Sequence, residues 1–563
     1  MDEVFSSTGH FKFLPFPDHG THPTSAMTRR HRFEPCPPAF DAIRLWLLLL
    51  VAGSILSSPC AAVPGVETPR ERAAALVEEF FKFYMNPNEH VRKAAVMGLE
   101  ECDHELAVEP LLKAVLDESI AVRKEAEKGL ARQTTHQAHH ALLRELRDSK
   151  DVNLSVAILE SFKVSRPKSA YETAIKLTTH KEAAMRVHSA ELLGVLEPRG
   201  GGSVQALAPL LLDKEADVRI AALASLAQLK ADNLAQESLR LLKEDPQWRV
   251  RASSIEFLKK LRIKESIQPL IDAMKSEQGR LFDDCHEALK VITAETFLQP
   301  SVEDWQSWWN QVKDHFEVPT QKQIEDRKSA QAAADSRYTR TKKEYAPFVG
   351  IPTRSQRMLF LLDVSNSMVD RLSIESGDPA RLKDFRERYG DYDTKIDLAR
   401  EELISTIATL GDHVKFNIVT FHTFVEKWKD TLQQANQGNK NAAMKFLTRL
   451  TPDYVNGIAR QAKENGRTNT FDALNVAFGV GNSQKPQASK MHSVESDTVF
   501  LITDGMPTAG RITDPQELIR YVGAANRRAK MVFHVVTFNH GNESLLKTIA
   551  EHSGGHYLVI SME

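Results

Sequence analysis

The chain of 563 residues is poor in cysteine, with four that lie far apart in the sequence. They form no C-x-x-C pair of the kind that a zinc knuckle uses, and their spacing does not support a disulfide framework. An excess of charge of one sign is also missing, because 73 basic and 75 acidic residues leave a formal net charge of −2. The balance therefore gives no indication of nucleic-acid binding. The length predicts about two to four domains.

The motifs of the common catalytic sites are absent as well. The sequence has no H-E-x-x-H, no G-x-S-x-G, no phosphate-binding loop and no G-x-G-x-x-G in a strand–turn–helix context. Asp363 follows an apolar run and could be a phosphotransfer nucleophile, but hydrolases of that type have a second aspartate two residues later, where this chain has Ser365. We expect a non-enzymatic protein, and a hydrolase with an unrecognised site is the alternative.

The apolar segment near the N-terminus is too short to cross a bilayer, which takes about 20 residues. It occupies residues 45–56, follows Arg44, and precedes small residues just after Cys60. This arrangement fits the core and the cleavage point of a signal peptide. The leading segment is long for a signal peptide, so Met27 is a second candidate start. We expect residues 1–62 to be a disordered N-terminus with a signal peptide or anchor, and the protein to be exported or held in the cell envelope. Membrane association through this segment and a cytoplasmic location are the alternatives.

An internal repeat occupies residues 68–316. An apolar residue recurs every 30 to 33 residues, and an alanine-rich helix, a short turn and a second apolar helix follow it. Two copies read H-V-R-K-A-A and A-V-R-K-E-A. The recurring positions are Val91, Val122, Val152, Met185, Val218, Val250 and Leu281.

Two further patterns accompany the repeat. A residue of a helix-capping type precedes most of the recurring positions by four or five residues, and we predict that it caps the first helix of the unit. An arginine also follows several of these positions, and we predict that it bonds to acidic groups of the adjacent unit, with a basic groove lined by these arginines as the alternative. The predicted caps are Asn86, Asp117, Asp148, Asp213, Asp245 and Ser276, and the arginines are Arg92, Arg123, Arg186, Arg219 and Arg251.

These units resemble HEAT repeats of the short type. The resemblance implies an all-α solenoid, because a single helix pair cannot bury its own apolar face and the units must stack. Near the end of the predicted solenoid, one helix face carries three tryptophans, Trp305, Trp308 and Trp309. We expect them to seal the open apolar end of the stack, with a ligand platform as the alternative. Residues 317–354 are charged and are predicted to be a linker.

Three segments of the second half carry oxygen ligands at the ends of predicted structural elements. Asp363-Val-Ser-Asn-Ser367 follows the apolar run 358–362, which indicates a buried parallel strand. Gly466-Arg-Thr-Asn-Thr470 precedes a predicted helix, and a second buried strand ends in Asp504-Gly505. Hard oxygen donors without Cys or His suit Mg²⁺, Mn²⁺ or Ca²⁺, and Mg²⁺ is the expected ion.

In order, spacing and strand context, these segments resemble the metal-ion-dependent adhesion site (MIDAS) of von Willebrand factor type A (VWA) domains, over residues 355–563. The resemblance implies a Rossmann-like doubly wound α/β fold and a divalent cation that binds a carboxylate of a partner protein at an open coordination position. Ser365, Ser367 and Thr468 would be direct ligands, and Asp363 and Asp504 would act through water. Thr470 is the second choice for Thr468, and the alternative is that both threonines cap the following helix.

The expected protein is thus an interaction protein with a solenoid scaffold and a metal-dependent binding domain. The stretch 369–393 follows the metal motif directly, so we expect it to border the metal face and to influence the choice of partner. An intracellular assembly factor that works beside an AAA+ ATPase is the alternative.

Overall fold

The computed structural model describes residues 68–196, 201–295, 300–325, 351, 353–372, 392–461, 466–480, 494–538 and 543–560. The predicted signal segment at 45–56, the alternative start Met27, most of the predicted linker and most of the stretch 369–393 lie outside the described residues. In the ranges that are described, no helix has the length and apolar character that crossing a membrane requires. Cys102 and Cys285, the two described cysteines, are buried free thiols.

The N-terminal half consists of short helices that pack in succession, as the repeat predicts. Their apolar residues form one continuous buried cluster that runs from Ala73 to Phe316. Alanine and glycine allow close approach between neighbouring units: a Cβ at Gly194 would lie 2.7 Å from the hydroxyl of Ser225. The helices are α1 (Pro69–Tyr84), α2 (Glu89–Met97), α3 (Glu105–Val115), α4 (Ile120–Ala131), α5 (His136–Asp148), α6 (Val152–Ser165), α7 (Tyr171–Leu177), α8 (Ala183–Val195), α9 (Gly202–Leu207), α10 (Ala216–Gln228), α11 (Ala235–Glu244), α12 (Trp248–Leu261), α13 (Ile267–Ser276), α14 (Arg280–Thr293) and α15 (Val302–Val312).

The recurring apolar positions lie at or near the start of α2, α4, α6, α8, α10, α12 and α14. Val91 and Val152 are half-buried, and the other five are buried. The tryptophans near the end of the array behave as predicted. Trp305 and Trp309 are buried, and the half-buried Trp308 packs edge-on against Phe316. They therefore complete the apolar cluster at this end.

The prediction of the helix caps was wrong in its detail. Asp213 and Asp245 lie two residues before the caps of α10 and α12, and each accepts the backbone N–H of that cap residue at 2.9 Å. Asp117 is placed in the same way before α4, whereas Asp148 and Ser276 are the last residues of α5 and α13. The helices begin later than the pattern indicates, so Asp117, Asp213 and Asp245 form tight turns ahead of the helix.

The predicted arginine pairing between units is confirmed at four positions. Arg92 binds Asp117 through two bonds of 2.9 and 3.0 Å, and the pairs Arg186–Asp213, Arg219–Asp245 and Arg251–Glu277 repeat the contact. Arg123 differs, because its guanidinium donates to the backbone carbonyls of Asp117 and Glu118. A two-bond arginine–carboxylate pair fixes orientation as well as distance, so the series sets the register between units.

The C-terminal half is a sheet with helices on both faces. Its order is β3-β2-β1-β5-β6-β7, and β4 pairs with β2. Strands β1, β2, β5, β6 and β7 are parallel, while β3 and β4 run antiparallel to β2. The strands are β1 (Arg357–Asp363), β2 (Lys415–Phe421), β3 (Val425–Lys427), β4 (Gln433–Gln434), β5 (Thr498–Ile502), β6 (Val532–Thr537) and β7 (Tyr557–Val559).

Each face of the sheet has its own apolar core. One core joins the sheet to α16 (Lys395–Thr409), α17 (Gln437–Leu447) and α18 (Pro452–Gln461), and the other joins it to α19 (Thr470–Ala477), α20 (Pro515–Ala529) and α21 (Glu543–Ser553). The predicted fold class, a helical solenoid followed by a doubly wound α/β domain, is therefore confirmed.

Candidate metal centre at the carboxyl edge of the sheet

The strand order brings Asp363 and Asp504 to one edge of the sheet. Strands β1 and β5 are direct neighbours with Leu362 opposite Ile502, so the residues after them meet. The chain leaves β1 toward β2 on one side and reaches β5 on the other. In open sheets of this kind ligands bind at the carboxyl ends of the strands where the strand order reverses.

Three hydroxyl groups connect this edge into a chain of short contacts. The Thr468 hydroxyl donates to Ser365 Oγ at 3.1 Å, and Ser365 Oγ lies 3.2 Å from Ser367 Oγ. Ser367 in turn donates to Asp504 Oδ1 at 2.7 Å. Asp363 joins through the backbone N–H of Ser365, which donates to its Oδ1 at 2.8 Å. The structure thus brings the five predicted residues together at one edge of the sheet.

Thr468, rather than Thr470, contacts this cluster. Thr470 is the first residue of α19, and its hydroxyl is buried with no hydrogen-bond partner among the described residues. The alternative that the threonines cap α19 is wrong, because Asn469 is the cap and its side chain accepts the N–H of Asp472.

Backbone contacts between the loops fix the positions of the hydroxyls. The N–H of Asn366 donates to the carbonyl of Gly466 at 2.8 Å, and the N–H of Thr508 donates to the carbonyl of Thr468 at 2.9 Å. The N–H of Thr468 in turn donates to the hydroxyl of Thr508 at 2.9 Å. Gly466 has φ of 87°, which favours glycine at this turn. The cluster is therefore held by the framework and does not rely on side chains alone.

The site concentrates negative charge in a buried place. Asp363 is fully buried, and this burial, followed by the charge of Asp504, raises the pKa of its carboxyl to about 7. A nearby cation would offset both effects. Carboxylate and hydroxyl oxygens are donors that Mg²⁺, Mn²⁺ and Ca²⁺ accept, so the residues present fit such an ion.

Two residues of the site were missed by the sequence analysis. The hydroxyl of Thr503 donates to Asp363 Oδ2 at 2.5 Å, and Lys395 places its ammonium 2.7 Å from Asp504 Oδ2. Thr503 lies between the end of β5 and Asp504, so its position close to the site could have been inferred from the predicted strand before Asp504. Lys395 has no such signal beyond being a lysine at the start of an apolar helix.

This fold and this edge define a solenoid of helical repeats joined to a VWA domain, and comparisons agree. Residues 393–559 match the family model of the von Willebrand factor type A domain, and residues 74–161 and 204–289 match that of HEAT repeats. The chain carries both modules.

Curated relatives match a limited part of this chain. Inter alpha-trypsin inhibitor, heavy chain 4 of Mus musculus is 26% identical over 165 residues, which is 29% of this chain and 14% of the relative. Von Willebrand factor A domain-containing protein 3B of Homo sapiens is 26% identical over 168 residues, or 29% of this chain and 10% of that protein. The chain therefore matches only a small part of the length of these relatives.

Solved structures give similar partial matches. A von Willebrand factor type A protein from Catenulispora acidiphila has 18% identity and a TM-score of 0.25, and the match covers 37% of this chain and 40% of that chain. An aerotolerance-related membrane protein from Bacteroides fragilis has 16% identity and a TM-score of 0.24, with coverage of 36% and 90%.

Proposed function

We propose that this is a non-enzymatic protein-interaction protein whose VWA domain binds an Asp or Glu side chain of a partner protein through a divalent cation. The residues that would hold the cation are Asp363, Ser365, Ser367, Thr468 and Asp504, and the HEAT array serves as the scaffold. The observation that carries this proposal is the chain of contacts from Thr468 through Ser365 and Ser367 to Asp504.

The donor set explains why a partner carboxylate would be needed. When bound, the cation would supply an electrophilic point that accepts a further oxygen ligand. The three hydroxyls are neutral and orient toward one another, so they contribute little charge compensation. Asp363 is held by Thr503 and by the N–H of Ser365, which fixes its oxygens in place. Because Asp363 and Asp504 would act through water, a carboxylate from outside would be the one charged ligand in direct contact with the ion, and by linkage each ligand would strengthen the binding of the other.

The surroundings of the site offer surface for a partner protein. Phe424 is 65% exposed, and its loop is tied to the site because Thr423 accepts bonds from Arg467 and Asn469. Met506 lies two residues after Asp504 and is 42% exposed. Fixed exposed apolar side chains beside a charged centre are common in protein-binding surfaces. The stretch 369–393 would add selectivity through its mixed charges, chiefly by rejecting wrong surfaces.

Calorimetric titration of the full-length protein with Mg²⁺ and Mn²⁺ tests the proposal. Wild type should bind the ion weakly, because water would fill much of the coordination shell, and Asp363→Asn should abolish the heat. The matched control is Asp497→Asn, since Asp497 is a buried aspartate of the same sheet that bonds Ser355 at the opposite edge. Equal heats from wild type and Asp363→Asn would overturn the metal site.

We also propose export, on the basis of residues 45–56. The mature chain should then begin near Val63, and N-terminal sequencing of the native protein measures this directly. Detection of an intact Met1 or Met27 on a soluble cytosolic protein would contradict it.

A further inference from the structure

A buried ammonium group occupies one side of the candidate metal centre. Lys395 Nζ lies 2.7 Å from Asp504 Oδ2 and donates to the backbone carbonyl of Ser367 at 3.3 Å. Its side chain is 6% exposed and that of Asp504 is 1% exposed. The other oxygen of Asp504, Oδ1, accepts the Ser367 hydroxyl. The lysine therefore binds the oxygen that the hydroxyl cluster does not use.

The position of Lys395 is set by helix α16 and is not favourable for the helix itself. Lys395 is the first residue of α16, after the cap Thr394, and its neighbour Ile396 is fully buried in the core. A positive charge at a helix N-terminus opposes the helix dipole, and a buried ammonium loses hydration. Asp504 offsets both effects. The exposed Asp370, 3.6 Å away, adds a weaker and solvent-screened contact.

The presence of this lysine changes the charge that a cation meets. When the carboxyls of Asp363 and Asp504 are both ionised, as they would be beside a bound cation, these two buried charges and the ammonium of Lys395 leave one net negative charge among the described buried residues of the site. A divalent ion would exceed that charge by one unit, whereas without the lysine it would be fully compensated. Because the pair is buried, solvent screens this difference only in part.

We propose that Lys395 makes cation binding at this site dependent on the partner: it weakens binding of a divalent ion alone and leaves the occupied site positive, which favours an incoming carboxylate. This inference rests on the proposed function. It adds a residue that makes the same site favour the cation and the partner carboxylate together over the cation alone. Lys395 acts through Asp504 and the local field, so it is a positioning residue that contacts no partner.

Two opposite effects follow from replacing Lys395 by an uncharged residue. In Lys395→Met the affinity for Mg²⁺ alone should rise by about tenfold or more, because the repulsion between the ammonium and the ion is removed. The affinity of the occupied site for a carboxylate should fall. A purely structural lysine would instead lower both affinities, because its loss would disorder Asp504.

The experiment compares full-length wild type, Lys395→Met and Lys395→Arg by calorimetric titration with Mg²⁺. Acetate is then titrated into the Mn²⁺-saturated proteins, and water-proton relaxation follows its binding. Lys395→Arg keeps the charge and should resemble wild type. The matched control is Lys440→Met, since Lys440 is also buried but donates to the helix carbonyls of Ala408 and Leu410, away from the site. It should leave both affinities unchanged.

The results separate this inference from the proposed function. Equal or weaker Mg²⁺ binding by Lys395→Met than by wild type overturns the role of the lysine and leaves the metal site standing. Absence of Mg²⁺ binding in every variant overturns the metal site itself. If Lys395→Met does not fold, Lys395→Gln, which keeps a hydrogen-bond donor for Asp504, must shift both affinities in the same directions.

Discussion

At the scale of single residues, Asp504 has a structural role beside its proposed binding role. Its carboxylate pairs with the ammonium of Lys395, and both side chains are almost fully buried. Removal of one partner leaves the other charge buried and uncompensated, which destabilises far more than loss of the pair as a whole. Substitutions at Asp504 are therefore expected to affect stability as well as metal binding.

We predict that Asp504→Ala lowers the free energy of unfolding by about 3 kcal/mol, and that Lys395→Met in the same chain restores most of this loss. Urea unfolding of wild type, both single variants and the double variant, all without divalent ions, measures the coupling. Strictly additive effects of the two substitutions would show that the pair contributes nothing to the fold.

The residues of the candidate site were predictable to the extent that they lie in local motifs. Asp363 ends one strand, Ser365 and Ser367 follow it, and Asp504 lies just after another, so the apolar runs located these residues and the resemblance to the VWA metal site proposed their role. Lys395 belongs to neither strand. Its contact depends on where helix α16 packs against the sheet, which is a tertiary property that no local pattern encodes.

At the scale of elements, apolar runs were reliable indicators of the buried strands. The runs that predicted β1 and β5 match the observed strands closely, because parallel strands covered on both faces need uninterrupted apolar sequence. Helix α18 is short and largely polar, so no apolar run marks it in the sequence. Its start has a recognisable signal in Thr451-Pro452, where the hydroxyl accepts the N–H of Tyr454 and proline takes the first position.

The starts of the repeat helices show how one residue can satisfy two demands. Asp213 and Asp245 were expected to cap helices, but each instead turns the chain before the helix and binds an arginine of the preceding unit. Spacing to the next apolar residue cannot distinguish these roles, because both place a carboxylate close to the helix start. The arginine one unit earlier was the additional signal.

At the scale of the whole chain, the solenoid contacts the VWA domain at the sheet edge opposite the candidate metal centre. Arg280 donates to the carbonyl of Asp497, just before β5, and the Arg357 guanidinium at the start of β1 lies 4.9 Å from the ring centre of Trp248. Lys530, which precedes β6, pairs with Glu256 at 2.5 Å. The amino ends of three strands are thus engaged, and Lys124 of α4 also pairs with Glu517 in the first turn of α20 at 3.5 Å.

The contacts between the modules are mostly polar, and this predicts that their thermal coupling depends on salt. Val218 is fully buried in the solenoid, so Val218→Asp would bury an unpaired charge and destabilise the array by several kcal/mol. At about 0.05 M salt, where ion pairs at partly exposed sites are weakly screened, the VWA domain should lose stability together with the solenoid. At about 1 M salt, scanning calorimetry should instead resolve a VWA transition that Val218→Asp does not move.

Leu212→Asp places the same charge at a 69% exposed position and should leave both transitions unchanged. A VWA transition unaffected by Val218→Asp even at low salt would mean that these contacts do not couple the modules.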